Sequence, residues 1–115
     1  MAPEMISLIR YSRIWRINMF PIEFLRPAEN YFKKLRDKEL KRKYYNSLQG
    51  IRNNPQIGQM KTGDLAGIYG FDISYKGINY EIAYWLSETE NGEIVVVIMA
   101  GTRENFWDAV KNYMK

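Results

Sequence analysis

The second half of the chain alternates apolar and polar residues. Between residues 69 and 76 every second residue is aromatic or aliphatic, and the same period of two returns at 78–86, after Lys76-Gly77. Successive side chains of a β-strand point to opposite faces, so this period predicts two half-buried strands joined by a tight turn. Asn91-Gly92 favours a hairpin, and the nearly continuous apolar run 94–100 favours a central strand covered on both faces. The pattern therefore predicts a three-stranded meander.

Helical periodicity flanks these strands. Pro27 suits the first turn of a helix, Asp37 marks a break, and a second helix ends at Asn53-Asn54-Pro55. Thr102 can cap a last helix. The apolar positions at helical spacing are Ala28, Tyr31, Phe32 and Leu35 in the first helix, Leu40, Tyr44, Leu48 and Ile51 in the second, and Phe106, Ala109, Val110 and Tyr113 in the third.

This order predicts an α+β fold in which an N-terminal helical hairpin packs on a small curled antiparallel sheet of three to four strands, followed by a C-terminal helix. The fourth strand would be the short run 20–25, which Pro21 restricts to a sheet edge. We expect the helices to cover one face and to leave the other open and concave. The length suits one domain, which we place at 20–115, with 1–19 as an N-terminal extension whose order the sequence does not fix.

Two amino-acid types do not occur in the chain. It contains no Cys, which excludes disulfides, cysteine zinc sites and thiol catalysis, and no His, which excludes Ser–His and Cys–His nucleophile systems. No apolar stretch approaches the ~18 residues of a membrane span. Arginines in the early apolar region argue against a signal peptide. We therefore expect a cytoplasmic protein with no membrane contact, no metal and no cofactor.

Charge is distributed unevenly along the chain. Residues 1–62 contain thirteen Lys and Arg against five acidic residues, whereas residues 63–115 contain four against eight. This asymmetry indicates that the first half meets a polyanion or an acidic protein partner. The alternative is an ordinary solvated helix surface.

Candidate chemistry lies on the polar face of the meander and beside it. Alternation directs Asp72, Glu81 and Trp85 away from the core side. Arg103 directly follows the most apolar strand at the start of the last helix, where a cation beside free backbone N–H groups suits a phosphate. If Glu81 lies near Arg103, it could take the proton of a 2′-hydroxyl while the guanidinium stabilises the phosphorane.

Simpler explanations exist for the same residues. The polar face could be a solvated sheet surface with cross-strand pairs such as Lys76 with Glu81. Arg103 could form a salt bridge with Glu104 or Asp108. The sequence leaves both explanations open.

Three segments resemble the RelE/ParE superfamily of toxins from type II toxin–antitoxin systems. Segment 63–69 (Gly-Asp-Leu-Ala-Gly-Ile-Tyr) is similar to the Leu-x-Gly entry into the family's sheet. Segment 79–84 (Asn-Tyr-Glu-Ile-Ala-Tyr) resembles its central x-Tyr-Arg-aliphatic-x-Tyr strand, and segment 101–106 (Gly-Thr-Arg-Glu-Asn-Phe) resembles its Gly-x-Arg element. The helical hairpin has the family's order, so the resemblance covers about residues 20–115 and implies a RelE-like fold.

The resemblance implies a growth-arresting toxin that pairs with a cognate antitoxin protein. RelE-like members imply a ribosome-dependent mRNA endoribonuclease that needs no metal, and we take this as the main hypothesis, with the ribosome and mRNA as partners. A ParE-like DNA gyrase inhibitor without nuclease activity is the alternative, and a catalytically inert antitoxin-binding relative is a third. The predicted catalytic residues are Arg103 and Glu81. The predicted RNA-binding residues are Lys76, Lys61, Lys41 and Lys43.

The sequence departs from the family pattern at several positions. Glu81 replaces the arginine of the central strand, so a phosphate contact is lost or moved. Asp72 and Ser74 stand where RelE-like nucleases carry Lys, and Ala109 stands in register with a tyrosine of the terminal helix. Only Arg103 matches the family's functional pattern directly.

Overall fold

The computed structural model describes residues 19–115. The predicted N-terminal extension therefore lies outside the described residues, except for Met19. The elements are β1 (Ile22–Phe24), α1 (Arg26–Lys34), α2 (Lys38–Asn53), β2 (Gln59–Met60), β3 (Tyr69–Tyr75), β4 (Ile78–Thr89), β5 (Gly92–Thr102) and α3 (Phe106–Met114). Short 3₁₀ turns at Pro55–Ile57 and Gly63–Leu65 lie between α2 and β3. The α+β class and the two consecutive N-terminal helices are confirmed.

The described sheet has five strands in the order β1-β5-β4-β3-β2. β1 runs parallel to β5, whereas the other neighbours are antiparallel. The antiparallel meander is confirmed as β3-β4-β5, but the prediction of three to four strands, all antiparallel, is wrong, because the sheet has five strands and β1 is parallel. The helical hairpin carries the chain away from β1, and β5 later returns beside β1 in the same direction. β2 has two residues, too few to show a period of two.

The start of α2 is tied to the end of β3. The Asp37 side chain accepts hydrogen bonds from the backbone N–H groups of Glu39 (3.0 Å) and Leu40 (3.2 Å), which caps the helix. The hydroxyl of Tyr75 also donates to the Asp37 carboxylate, at 2.9 Å from each oxygen. Hydrogen bonds from Leu40 and Tyr75 hold the pKa of Asp37 below its ordinary value. The break predicted at Asp37 is thus a helix cap.

The main core lies between the α1–α2 hairpin and one face of the sheet. Apart from Ala28, its fully buried members have aromatic or branched aliphatic side chains. They are Phe32, Tyr44, Leu48, Ile51, Ile82, Tyr84, Val95 and Val97. Arg52, near the end of α2, is buried as well, and its Nε donates to the carbonyl of Phe20 at 2.8 Å.

A second core covers part of the opposite face. Phe106 and Val110 of α3 are buried against Ala83 and Ile98 of the sheet. The expectation that all helices cover one face and leave the other open is therefore wrong. The run 94–100 is apolar on both faces of β5, so its second face needs cover as well, and α3 supplies it.

The terminal helix differs in detail from its prediction. Thr102 is the last residue of β5, and α3 begins at Phe106, so Thr102 is not the helix cap. Ala109 and Tyr113 are exposed, although the helical stripe included them. Trp107 packs on the sheet instead.

Gly70 on β3 provides the space for Trp107. A Cβ atom at residue 70 would lie 2.6 Å from Cζ2 of the indole, closer than any ordinary contact. The Lys61 ammonium group lies 4.1 Å from the centre of the Trp107 ring, a cation–π distance. The Trp107 ring therefore packs between the β3 backbone at Gly70 and the ammonium group of Lys61.

The sheet also fixes the segment that follows α2. The hydroxyl of Tyr84 donates to the carbonyl of Pro55 at 2.7 Å and accepts from the backbone N–H of Gly58 at 3.1 Å.

No helix among residues 19–115 is long and apolar enough to cross a membrane.

Candidate functional site

Strand register brings two carboxyl groups together on the face that α3 partly covers. Asp72 on β3 pairs directly with Glu81 on β4, and Glu81 pairs with Gly101 on β5. Directly opposite residues of an antiparallel pair project to the same face, with Cβ atoms about 5 Å apart. Asp72 was predicted to lie on this face but not as a partner of Glu81, although counting back from the two-residue turn Lys76-Gly77 pairs residues 72 and 81.

Arg103 lies in the turn between β5 and α3. Its backbone N–H donates to the carbonyl of Asn79 at 2.9 Å, and its carbonyl accepts from the N–H of Phe106 at 3.0 Å. Both ends of this turn are thereby fixed. Because α3 begins three residues later, Arg103 lies before the helix rather than in its first turn.

The three side chains form one ionic cluster. Nε of Arg103 lies 2.6 Å from Oε2 of Glu81, and Nη2 of Arg103 lies 2.9 Å from Oδ2 of Asp72. Both are charge-assisted hydrogen-bond distances. Glu81 is 3% exposed, whereas the side chains of Asp72 and Arg103 are 61% and 51% exposed. The guanidinium therefore joins a buried carboxylate to an exposed one at the surface.

Burial and Asp72 both act on the ionisation of Glu81. Removal from water raises the pKa of Glu81, the hydrogen bond and charge of Asp72 raise it further, and Arg103 lowers it, with a net rise above the ordinary value. A carboxyl group whose pKa is moved towards neutrality can accept and return a proton, and an adjacent guanidinium can stabilise negative charge. The cluster thus contains the elements of acid–base chemistry on an anionic substrate.

The structure brings Glu81 and Arg103 together. The ion-pair and cross-strand partners that it shows differ from the simpler pairings suggested by the sequence. The acidic partners of Arg103 are Glu81 and Asp72, in place of Glu104 or Asp108. The strand partner of Glu81 is Asp72, in place of Lys76.

The four predicted RNA-binding lysines lie in different places. Lys76 lies in the β3–β4 turn with its ammonium group 5.3 Å from the Tyr75 ring centre, and Lys61 lies over Trp107. Lys41 and Lys43 lie on α2. The four lysines therefore divide between the β3 side of the sheet, with Lys61 and Lys76, and α2, with Lys41 and Lys43.

Within 19–115, no three His, Cys, Asp or Glu side chains are grouped so that they could hold a metal ion. The carboxylates of the cluster are a pair, and their shared neighbour is a guanidinium.

Comparisons with known proteins identify relatives of this fold. A family model described as "ParE-like toxin of type II bacterial toxin–antitoxin system" matches residues 22–111. An arginine double mutant of E. coli toxin RelE in the free state is similar in structure, with a TM-score of 0.60 and 20% identity over 82% of this chain and 97% of that one. The intact E. coli RelBE toxin–antitoxin complex contains a chain with a TM-score of 0.56 and 20% identity over 72% of this chain and 94% of that one. No curated protein sequence matches significantly.

Proposed function

Because this chain belongs to the family of ParE-like toxins of type II bacterial toxin–antitoxin systems, we propose that it arrests growth in the cytoplasm by cleaving mRNA on the ribosome. The observation that carries this proposal is the 2.6 Å contact between the Arg103 guanidinium and the buried Glu81 carboxyl. The contact pairs a candidate general base with a candidate phosphate ligand. The similarity in fold to RelE is consistent with this choice.

In the proposed reaction, the Glu81 carboxylate takes the proton of a ribose 2′-hydroxyl. The 2′-oxygen then bonds to the adjacent phosphorus, and the bond from phosphorus to the 5′-oxygen breaks, which leaves a 2′,3′-cyclic phosphate. The leaving 5′-oxygen takes a proton from water. Arg103 stabilises the charge that develops on the phosphorane, where a fixed cation has its largest effect. The raised pKa of Glu81 makes its carboxylate a stronger base toward the 2′-hydroxyl.

The α1–α2 hairpin supplies the proposed contact with ribosomal RNA. Residues 33–43 contain seven Lys and Arg against two acidic residues. One of those acids, Asp37, is already engaged by backbone N–H groups and by Tyr75. Phosphate contacts from such a surface are independent of sequence and weaken as salt rises. Lys41 and Lys43 belong to this surface in the proposal.

A small antitoxin protein is the proposed regulator. The family is one of toxin–antitoxin systems, and the RelBE structure contains a similar toxin chain together with its antitoxin. Co-expression of the antitoxin encoded beside this chain is expected to restore growth.

Conservative substitutions in the cluster test the nuclease proposal. Arg103→Ala is a poor choice, because it leaves the buried Glu81 carboxylate without its cation and weakens folding. Glu81→Gln and Arg103→Lys each retain a hydrogen-bonding group of similar size. We expect both to abolish growth arrest and RNA cleavage in induced cells, measured by mapping RNA 5′ ends, while thermal unfolding remains cooperative.

Asp64→Asn is the matched control. Asp64 is an exposed carboxylate that lies 3.8 Å from Lys111, so its substitution removes the same charge away from Glu81 and Arg103. This variant is expected to remain fully toxic. Full toxicity of folded Glu81→Gln and Arg103→Lys would reject the catalytic assignment.

Inhibition of DNA gyrase is the second candidate. The observation that favours it is the charge of the cluster, where two carboxylates surround one guanidinium, an unfavourable balance for an RNA phosphate. Induced cells would then show a DNA-damage response with intact mRNA. Measuring growth, mRNA integrity and DNA damage in the same cultures separates the two activities, and an inert relative would change none of them.

A further inference from the structure

The two carboxylates that hold Arg103 are not equivalent. Glu81 is buried between neighbouring strands, so its contact with Nε is fixed by the sheet. Asp72 is 61% exposed and reaches Nη2 from the solvent side. A side chain with that exposure can rotate away without disturbing the core, whereas Glu81 cannot.

An incoming phosphate that uses two donors shares Nη2 with Asp72, because both bidentate modes of a guanidinium, Nε with Nη2 and Nη1 with Nη2, include that nitrogen. Arginine binds carboxylates and phosphates through its N–H groups, preferably two at a time. Glu81 takes Nε and Asp72 takes Nη2, so the carboxylates together occupy the side of the guanidinium that carries these two donors. The negative charge of Asp72, 2.9 Å from Nη2, also opposes the binding of a phosphate there.

We propose that Asp72 is an intramolecular competitor for phosphate, which occupies Nη2 of Arg103 in the free protein and leaves when an RNA phosphate binds there. Asp72 thus sets the affinity of the site, while Glu81 remains in place as the proposed base. This inference rests on the proposed function for the identity of the ligand, a phosphodiester of RNA. The competition itself rests on the geometry of the three side chains.

The expected change in phosphate affinity follows from the loss of the ion pair between Asp72 and Arg103. An exposed ion pair and the repulsion between two exposed like charges are each modest in water, because solvent screens them. Together they correspond to a change of about three- to ten-fold in phosphate affinity when Asp72 loses its charge. The gain should shrink as added salt shortens the screening length.

The test compares Asp72→Asn with the unchanged protein and with Asp64→Asn as the matched control. Inorganic phosphate is the probe, and its binding is followed by the NMR signal of the Arg103 Nε–H group. We expect Asp72→Asn to bind phosphate about three- to ten-fold more tightly at low salt. Asp64→Asn, with the same loss of charge elsewhere, should match the unchanged protein.

Cleavage of ribosome-bound mRNA by the same proteins separates this inference from the proposed function. Tighter phosphate binding without RNA cleavage by any protein supports the competition and rejects the nuclease. RNA cleavage with unchanged phosphate affinity in Asp72→Asn rejects the competition and retains the nuclease. An equal gain in Asp64→Asn rejects the competition too, since net charge alone would then explain it. Because Asp72 is exposed, the variant should unfold at nearly the same temperature as the unchanged protein, which a melting curve checks.

Discussion

Replacing Gly70 with Ala would test whether Trp107 fixes α3 on the sheet. The new Cβ would lie 2.6 Å from Cζ2 and 3.0 Å from Cη2 of the indole, where carbon atoms normally approach to about 3.5–4.0 Å. The indole or the strand must therefore move by about 1 Å. Overpacking of this kind costs about 1–3 kcal/mol, and we expect Gly70→Ala to lower the free energy of unfolding by that amount.

Urea unfolding followed by tryptophan fluorescence measures the effect. With a urea slope of about 1–3 kcal/mol per molar, the midpoint should fall by roughly 1 M. Gly50→Ala is the control, because Gly50 lies inside α2 and its Cβ would meet Cδ1 of Ile57 at an ordinary 3.6 Å. Alanine is about 0.5–1 kcal/mol better than glycine inside a helix, so the same substitution should stabilise the protein there.

A double variant identifies the clash itself. Trp107→Leu removes the ring that the new methyl group would strike, so Gly70→Ala should cost less in that background. The difference between the two costs is the coupling energy of residues 70 and 107. An equal cost in both backgrounds, or a stabilising effect like that expected for Gly50→Ala, would refute the argument that Trp107 is seated on Gly70.

Two further predictions concern a buried hydroxyl and a buried carboxyl. Tyr84→Phe should lower the free energy of unfolding by about 1–3 kcal/mol in urea, because Pro55 loses a hydrogen-bond donor and Gly58 an acceptor. Folding raises the pKa of Glu81, so its contribution to stability is fully present below its unfolded-state pKa and is lost as pH rises through the folded value. Glu81→Gln should therefore gain stability relative to the unchanged protein as pH rises above the ordinary glutamate pKa of about 4.3, measured by thermal melts, and a pH-independent difference would contradict this.

The strands of the meander were predictable because one face of each is buried. The period of two was visible at 69–76 and 78–86 and the continuous apolar run at 94–100, and β3, β4 and β5 lie there. β4 continues beyond the predicted residue 86 to Thr89, and β5 begins before the predicted residue 94, at Gly92. These added residues are mostly exposed, and hydrophobic patterning detects a strand only where one face is buried. The parallel pairing of β1 with β5 joins residues more than seventy positions apart, so no local pattern encodes it.

The site was predictable in part. The alternation of apolar and polar residues predicted which face of the sheet carries the site. The pairing of Asp72 with Glu81 follows from the two-residue turn, because residues equally far from the turn on the two strands lie opposite each other. The burial of Glu81 was not predictable, since alternation assigns a face without saying how far neighbouring elements cover it. The partners of Arg103 also depend on the turn that precedes α3.

The basic surface of the helical hairpin and the Arg103 cluster lie against opposite faces of the sheet, yet both adjoin one end of it. Tyr75 ends β3 and bonds to Asp37 between α1 and α2, while the backbone of Arg103 bonds to Asn79 at the start of β4. The β3–β4 turn therefore lies between the two charged features, and Lys76 belongs to that turn. Under the proposed function, ribosomal RNA at the hairpin and the scissile mRNA phosphate at Arg103 would lie on either side of this turn. We therefore expect Lys76, which lies between these two positions, to contact an RNA phosphate.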